Sequence, residues 1–364
     1  MTETSDLPEI PGLVCPVPLP HQESIVLGHG SGGKLMHDLI ARHFYPNFQN
    51  PILAQGNDAG TFRLPSPVNN VDGQQLILAV STDSHVVSPL FFKGGDIGRL
   101  SISGTVNDLA MSGAVPLYLT AGFILEEGLD IHLLDQVIIS MAKTAVEAGV
   151  QVIAGDTKVV QKGKADLLYI NTAGIGTLPT GTTIGGSQAK PGDAVLINGT
   201  IGDHGIAVLE ARGELGFESG IESDVAPLNH MIHKLIQAGI EIHVLRDPTR
   251  GGVGTTLNEI AQQSRVGIMI HENSIPVKQA VSAACEMLGL DPLYIANEGK
   301  VIVIVAPRDA QRALEFMRAH PYGHDAVQIG EVISLPTPRV LLKTSIGTTR
   351  VIDTLSGELL PRIC

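Results

Sequence analysis

The sequence predicts two mixed α/β (α+β) domains of similar size, lying side by side. Three observations carry this. The chain has 364 residues, more than one domain of ~100–200 residues usually holds. Hydrophobic residues make up 43% and charged residues 17%, which supplies core material and excludes a disordered chain. Strand-like and helix-like apolar runs alternate on both sides of a stretch at 178–193 that holds two prolines and four glycines, without strict βαβ regularity.

In chain order, residues 1–22 hold Pro8, Pro11, Pro16, Pro18 and Pro20 and read as a disordered arm. The first domain spans 23–180. Its apolar run Ser24–Leu27 reads as a strand leading into Gly28-His29-Gly30-Ser31-Gly32-Gly33-Lys34, followed by helical spacing at Leu35, Leu39, Ile40 and Phe44. Leu76–Val80 is a strand ending at Ser81-Thr82-Asp83-Ser84. Ile97–Met111 is a helix between glycines, Leu117–Leu125 a strand, and Leu133–Ala148 a helix. Val152–Ala154 is a buried strand ending at Gly155-Asp156-Thr157-Lys158, and Leu167–Gly176 a further strand.

The second domain spans 190–345 and begins with the strand Ala194–Ile197. Helices are expected at Asp203–Arg212, Pro227–Ala238, Gly252–Gln263, Val277–Leu288 and Asp309–Arg318. Strands are expected at Gly267–Ile270, Lys300–Ala306, Val327–Val332 and Val340–Thr344. Residues 346–364 show little pattern before Pro361-Arg362-Ile363-Cys364 and read as a mobile tail carrying a thiol.

The net charge of −13 and 4% aromatics argue against a nucleic-acid partner. No apolar run reaches the ~18 residues of a membrane span, so no membrane is expected. Cys15, Cys285 and Cys364 are too few for a disulfide framework or zinc site, which makes a reducing cytoplasm the default.

Four groups of residues carry chemistry. Gly28, Gly30 and Gly33 satisfy G-x-G-x-x-G, and Gly28–Lys34 also satisfies G-x-x-x-x-G-K. Leu35 follows where a P-loop needs a hydroxyl, so the segment is either a phosphate cradle using backbone N–H groups and Lys34 or a flexible turn. Asp58, Asp83, Asp108 and Asp247 are each Gly-flanked or next to a core segment. Singly they suit caps and turns; jointly they suit a Mg²⁺–triphosphate site, because hard cations take oxygen ligands. Lys158 and Glu298 (in Asn297-Glu298-Gly299-Lys300) are an active-site cation and general base, or a surface lysine and a solvated turn acid. A thiol on a tail can be delivered to a pocket, and Arg362 nearby favours its thiolate. Cys285 reads as core, Cys15 has no evident role, and His204 carries no assignment.

Together these motifs resemble the HypE family, the carbamoyl dehydratases of nickel–iron hydrogenase maturation. That family sits in the ATP-using superfamily of aminoimidazole ribonucleotide synthetase and selenophosphate synthetase. The resemblance rests on His29–Lys34, Ser81–Ser84, Asn107-Asp108, Gly155–Val160, Gly202–Gly205, Asp247–Gly252, Asn297–Lys300 and Pro361–Cys364. It implies an aminoimidazole ribonucleotide synthetase-like fold with a mixed sheet in each domain, and a homodimer formed through the N-terminal domain. It implies ATP and Mg²⁺ as cofactors. Gly32, Gly33, Lys34, Asp58, Asp83, Asn107, Asp108, Asp156 and Asp247 would bind nucleotide, with Asp58, Asp83, Asp108 and Asp247 holding metal. Cys364, Glu298 and Lys158 would be catalytic. A carbamoyltransferase, HypF, would load Cys364. ATP-dependent dehydration would turn the S-carbamoyl group into S-cyanide, and a HypC–HypD iron scaffold would accept the cyanide. The alternative is a selenophosphate synthetase-like phosphotransferase, which would need a reactive residue in the Gly28–Lys34 loop, where only His29 stands. Asp58 lies in Gly-Asn-Asp-Ala-Gly, whereas the wider superfamily often carries two acids there, so the ligand count at that corner differs.

Overall fold

A computed structural model describes residues 25–364 except 31, 49, 65–69, 72–73, 180, 217, 356–359 and 361. The Pro-rich arm, Cys15 and Pro361 lie outside the described residues. The N-terminal domain is a five-stranded mixed sheet formed by β1 (Gly60–Arg63), β2 (Ile77–His85), β3 (Val115–Glu126), β4 (Gln151–Val160) and β5 (Leu168–Leu178), in the order β1-β2-β5-β3-β4. Only β3 and β4 pair in parallel; the remaining neighbours are antiparallel.

Helix α1 (Lys34–Leu39) precedes this sheet, and α2 (Ile97–Met111) and α3 (Ile131–Ala148) cover one of its faces. The Asp96 carboxylate caps α2 by accepting from Gly98 N–H at 2.7 Å and Arg99 N–H at 3.1 Å, which satisfies two otherwise unpaired donors. Helix α2 is buried almost all round because it stands between the domains. Its first turns pack with Leu119, Val137 and Ile170, while Ala110 and Met111 join the second domain's core. Such a helix needs no polar face.

The C-terminal domain is a seven-stranded sheet formed by β6 (Ala194–Ile197), β7 (Ile242–Arg246), β8 (Gly267–His271), β9 (Ile302–Val305), β10 (Val327–Ile333), β11 (Arg339–Lys343) and β12 (Thr349–Ile352). The order is β7-β9-β6-β10-β8-β11-β12, and the β8–β11 pair is parallel within an otherwise antiparallel sheet. Helix α6 (Gly252–Ser264) packs in one core cluster with the sheet, and α5 (Asn229–Gln237) and α8 (Ala310–Arg318) in another, while α4 (Asp203–Ala211) and α7 (Gln279–Leu288) share a cluster of their own. Both domains are therefore mixed, as the sequence predicts.

Several expectations are corrected. Ile25 and Val26 form no strand; a short 3-10 turn at Leu27–Gly30 precedes α1, and Ile25 and Leu27 stay exposed. Strand β2 does not end before Ser81-Thr82-Asp83-Ser84 but runs through it, because Asp83 pairs with Thr172 across the sheet. Strand β4 likewise runs through Gly155–Lys158. It is an exposed sheet edge rather than a buried strand, with nine of its ten residues exposed and a neighbour on one side only in the described sheet. The tail expected at 346–364 holds strand β12, paired antiparallel with β11. Strands β1 and β7 were not legible as apolar runs because polar residues (Thr61, Arg63, His243) interrupt them. Among the described residues, no helix is long and apolar enough to cross a membrane.

Candidate active site between the domains

A cavity of about 670 Å³ opens between the two domains, a size typical of small-ligand sites. Strand β2 presents Asp83, and α2 presents Asp108 one turn beyond Gly104. The loop before β1 presents Asp58, and the turn after β7 presents Asp247. The loop before β9 presents Glu298, and the tail presents Cys364. All six line this one cavity. Gly104 has to be small, because a Cβ there would stand 3.0 Å from His85 and 3.1 Å from Asp83.

The four aspartates are short of positive partners. Arg246 donates to Asp58, and Ser81 Oγ donates to Asp108 at 2.6 Å. Burial first, then the charges of Asp247, Asp83 and Asp58, push the Asp108 carboxyl well above the usual range. Asp247 is pushed up to about 8, chiefly by burial and then by Asp58. Glu298, only 5% exposed, is raised well above a normal carboxyl by burial and by Asp83, Asp224 and Asp247, with Arg250 opposing. Its Oε1 has no hydrogen-bond partner among the described residues. A carboxyl held this way takes up a proton more readily than an ordinary one. Crowded oxygen anions of this kind suit a hard divalent cation. Among the described residues no three acidic, histidine or cysteine groups form a closed metal-ligand set, and Asp58 is engaged by Arg246.

The thiol of Cys364 is pushed up to about 12, first by burial and then, against Arg250, by Glu298 and Asp83. Seated, it is neutral. Arg250 spans the site: its Nη1 donates to Gly30 O at 3.1 Å. Gly32 sits at φ +78°, where a Cβ would lie 2.9 Å from Arg250 Cβ, so this turn requires glycine.

Other expected residues stand elsewhere. Gly33 is the buried N-cap of α1. Lys34 is exposed outside the cavity lining, and its backbone N–H donates to Leu355 O at 2.9 Å. Asn107 is buried away from the cavity and staples the domains. Its Nδ2 donates to Ala226 O at 3.0 Å, and its Oδ1 accepts from Leu228 N–H at 2.8 Å. Asp156 and Lys158 pair with each other at 2.7 Å on exposed β4 and do not line the cavity of their own chain. Lys158 is paired with Ile124 of β3 and therefore shares the sheet face that no helix covers.

Sequence reasoning missed Arg246, Arg250, His37 and Glu259 as lining residues. The Asp-Pro-Thr-Arg-Gly-Gly motif held Arg250 in plain view. The ion pair between His37 on α1 and Glu259 on α6, 3.1 Å long, had no local signal.

The domain pair matches two families described as AIR synthase related protein, the N-terminal domain over residues 56–178 and the C-terminal domain over 190–343. The fold and its interdomain cavity thus place the chain among the AIR synthase related proteins. It is 51% identical over 340 residues to a carbamoyl dehydratase HypE of Cupriavidus necator, covering 93% of this chain and 95% of that one. It also matches the solved structure of a HypE–HypF complex (TM-score 0.80, 50% identity, 87% and 99% coverage). A third match is a HypE structure in complex with ATP (TM-score 0.77, 47% identity, 94% and 100% coverage). The chain belongs to the HypE family of carbamoyl dehydratases.

Proposed function

We propose that this protein dehydrates an S-carbamoyl group carried on its own Cys364 to S-cyanide, at the expense of ATP, to supply the cyanide ligand of a nickel–iron hydrogenase. The observation that supports this most is the presence of Cys364, Glu298 and four aspartates around one cavity. The crowded carboxylates fit Mg²⁺, with Asp83, Asp108 and Asp247 as its holders and Asp58 turned toward Arg246. MgATP, when bound, supplies the phosphoryl group that turns the amide oxygen into a leaving group.

The chain's own residues do the rest. The tail fixes the carbamoyl carbon in the cavity, and Arg250 offsets negative charge beside the sulfur. The nitrogen gives up one proton when its amide oxygen is phosphorylated and a second as the carbon–oxygen bond breaks; one of the two leaves on the departing phosphate. Glu298 accepts a proton from that nitrogen. HypF serves as carbamoyl donor and a HypC–HypD complex as cyanide acceptor.

Lys158 enters from a second copy. The uncovered face of the N-terminal sheet exposes Val80, Tyr118 and Ile124 together, an apolar patch that suits a homodimer. Dimerisation there would carry Lys158 and Asp156 out of solvent. The selenophosphate synthetase-like alternative lacks a thiol in the Gly28–Lys34 loop, where His29 Nδ1 is occupied by Val26 N–H at 3.0 Å.

Intact mass spectrometry after incubation with HypF, carbamoyl phosphate and ATP tests the proposal. Wild type should gain a carbamoyl and then lose water. Cys364→Ala should gain nothing while still binding ATP. The same adduct on the variant would overturn the assignment.

A further inference from the structure

Helix α4 presents His204, Val208 and Arg212 at spacings of four, so they form one stripe, with Arg212 as the helix C-cap. All three meet the tail. His204 Nε2 lies 2.8 Å from Ile363 O, and Nδ1 lies 2.8 Å from Ser223 Oγ. A carbonyl only accepts, so Nε2 carries the proton and Nδ1 accepts from Ser223. Phe92 fixes the ring edge-on at 5.3 Å. Val208 and Ile363, the latter 2% exposed, belong to one core cluster. Arg212 donates through Nε to Ser88 O at 2.6 Å and through Nη2 to Arg362 O. The tail itself runs antiparallel to residues 86–88: Val86 N–H donates to the Cys364 backbone oxygen at 3.0 Å, and Ser88 N–H to Arg362 O at 3.4 Å. Arg362 sits at φ +53°, a left-handed conformation unfavourable for a residue with a side chain, so outside contacts hold it.

We infer that His204 and Arg212 are positioning residues that latch the tail and thereby set how long the Cys364 thiol stays in the interdomain cavity. Neither is among the residues lining the cavity; they act through the backbone carbonyls of Ile363 and Arg362. The inference rests on the proposed function for its consequence: a thiol that is loaded outside and dehydrated inside needs a seat that holds and lets go. Weakening the latch favours loading and disfavours dehydration.

The test needs neither partner nor nucleotide. Iodoacetamide labelling of the full-length apo protein is followed at the Cys364 peptide by mass spectrometry, with buried Cys285 as an internal measure of folding. His204→Ala and Arg212→Met should each speed Cys364 labelling about three- to tenfold, the range expected from one lost hydrogen bond, with Cys285 still protected. His204→Gln, whose amide can donate near the Nε2 position, should stay close to wild type. Should His204→Ala expose Cys285 through unfolding, Arg212→Met decides alone. Unchanged Cys364 labelling in a folded Arg212→Met variant overturns the latch. If the carbamoyl chemistry fails, the labelling result still stands; if labelling is unchanged, the chemistry survives and only the latch is lost. On chains already carbamoylated, the variants should dehydrate more slowly at saturating ATP, with the KM for ATP unchanged.

Discussion

The backbone N–H of Val86 donates to the backbone oxygen of Cys364 at 3.0 Å, three residues beyond Asp83 on the same stretch of chain. Strand β2 and the residue directly after it therefore place both an acid of the cavity and the seat of the thiol. A displacement of β2 moves the two together, which keeps carrier and acid in register.

Glu298→Gln should accept the carbamoyl group at the wild-type rate and then stall. The amide has the same shape but cannot take a proton, and loss of a positioned base usually lowers the rate ~10²–10⁴-fold. Mass spectrometry would show an adduct that persists with ATP present. Wild-type cyanide formation by this variant would remove Glu298 from its role.

Docking of the tail should weaken at high pH. The seated Cys364 thiol is pushed up to about 12 against an ordinary 9.0, so the seat prefers the neutral form. Its contribution is complete below about pH 9 and fades as pH rises toward 12. Alkylation of Cys364 in the folded protein should keep accelerating above about pH 10, where a free tail peptide has nearly levelled off. Identical profiles for protein and peptide would contradict a buried seat.

Gly32→Ala should impair both stability and nucleotide affinity. The residue has φ +78°, and the added carbon would lie 2.9 Å from Arg250 Cβ. The left-handed conformation alone costs about 1–2 kcal/mol for a residue with a side chain. A lower melting temperature together with a higher KM for ATP is the expected result. A change in melting temperature alone would show that the Arg250 contact does not matter to the site.

Asn107→Ala should loosen the domain junction. Its Oδ1 accepts from Leu228 N–H, and its Nδ2 donates to Ala226 O and, at 3.4 Å, to the carbonyl of Glu298 itself. Orphaning such buried groups costs about 1–3 kcal/mol each. The denaturation midpoint should fall, and dehydration should slow because Glu298 loses a backbone anchor. An unchanged midpoint would mean that water replaces these bonds.

Much of the site was legible because its residues lie in short Gly-bearing turns beside strong apolar runs. Asp58, Asp83, Asp108, Asp247, Glu298 and Cys364 were all named from sequence, and all line the cavity. Gly33, Lys34, Asn107, Asp156 and Lys158 were named with them and stand outside it. Lys34 shows why: proximity to a glycine turn does not say which way a side chain leaves the helix. Asn107 and Asp108 are neighbours about 100° apart on α2, so one faces the cavity and the other the domain junction.

Periodicity and turn chemistry determined the two mixed domains, the bounds of α2 and the set of acids able to meet a cation, since these depend on residues near in sequence. Tertiary structure alone decided which acids converge, that β4 is an exposed edge, and that α4 holds the tail. Those outcomes depend on elements far apart in the chain, as His204 and Ile363 are at 159 residues, being pressed together by a shared core. A helical repeat marks the face that seeks a neighbour; it carries no information on which distant segment fills that place.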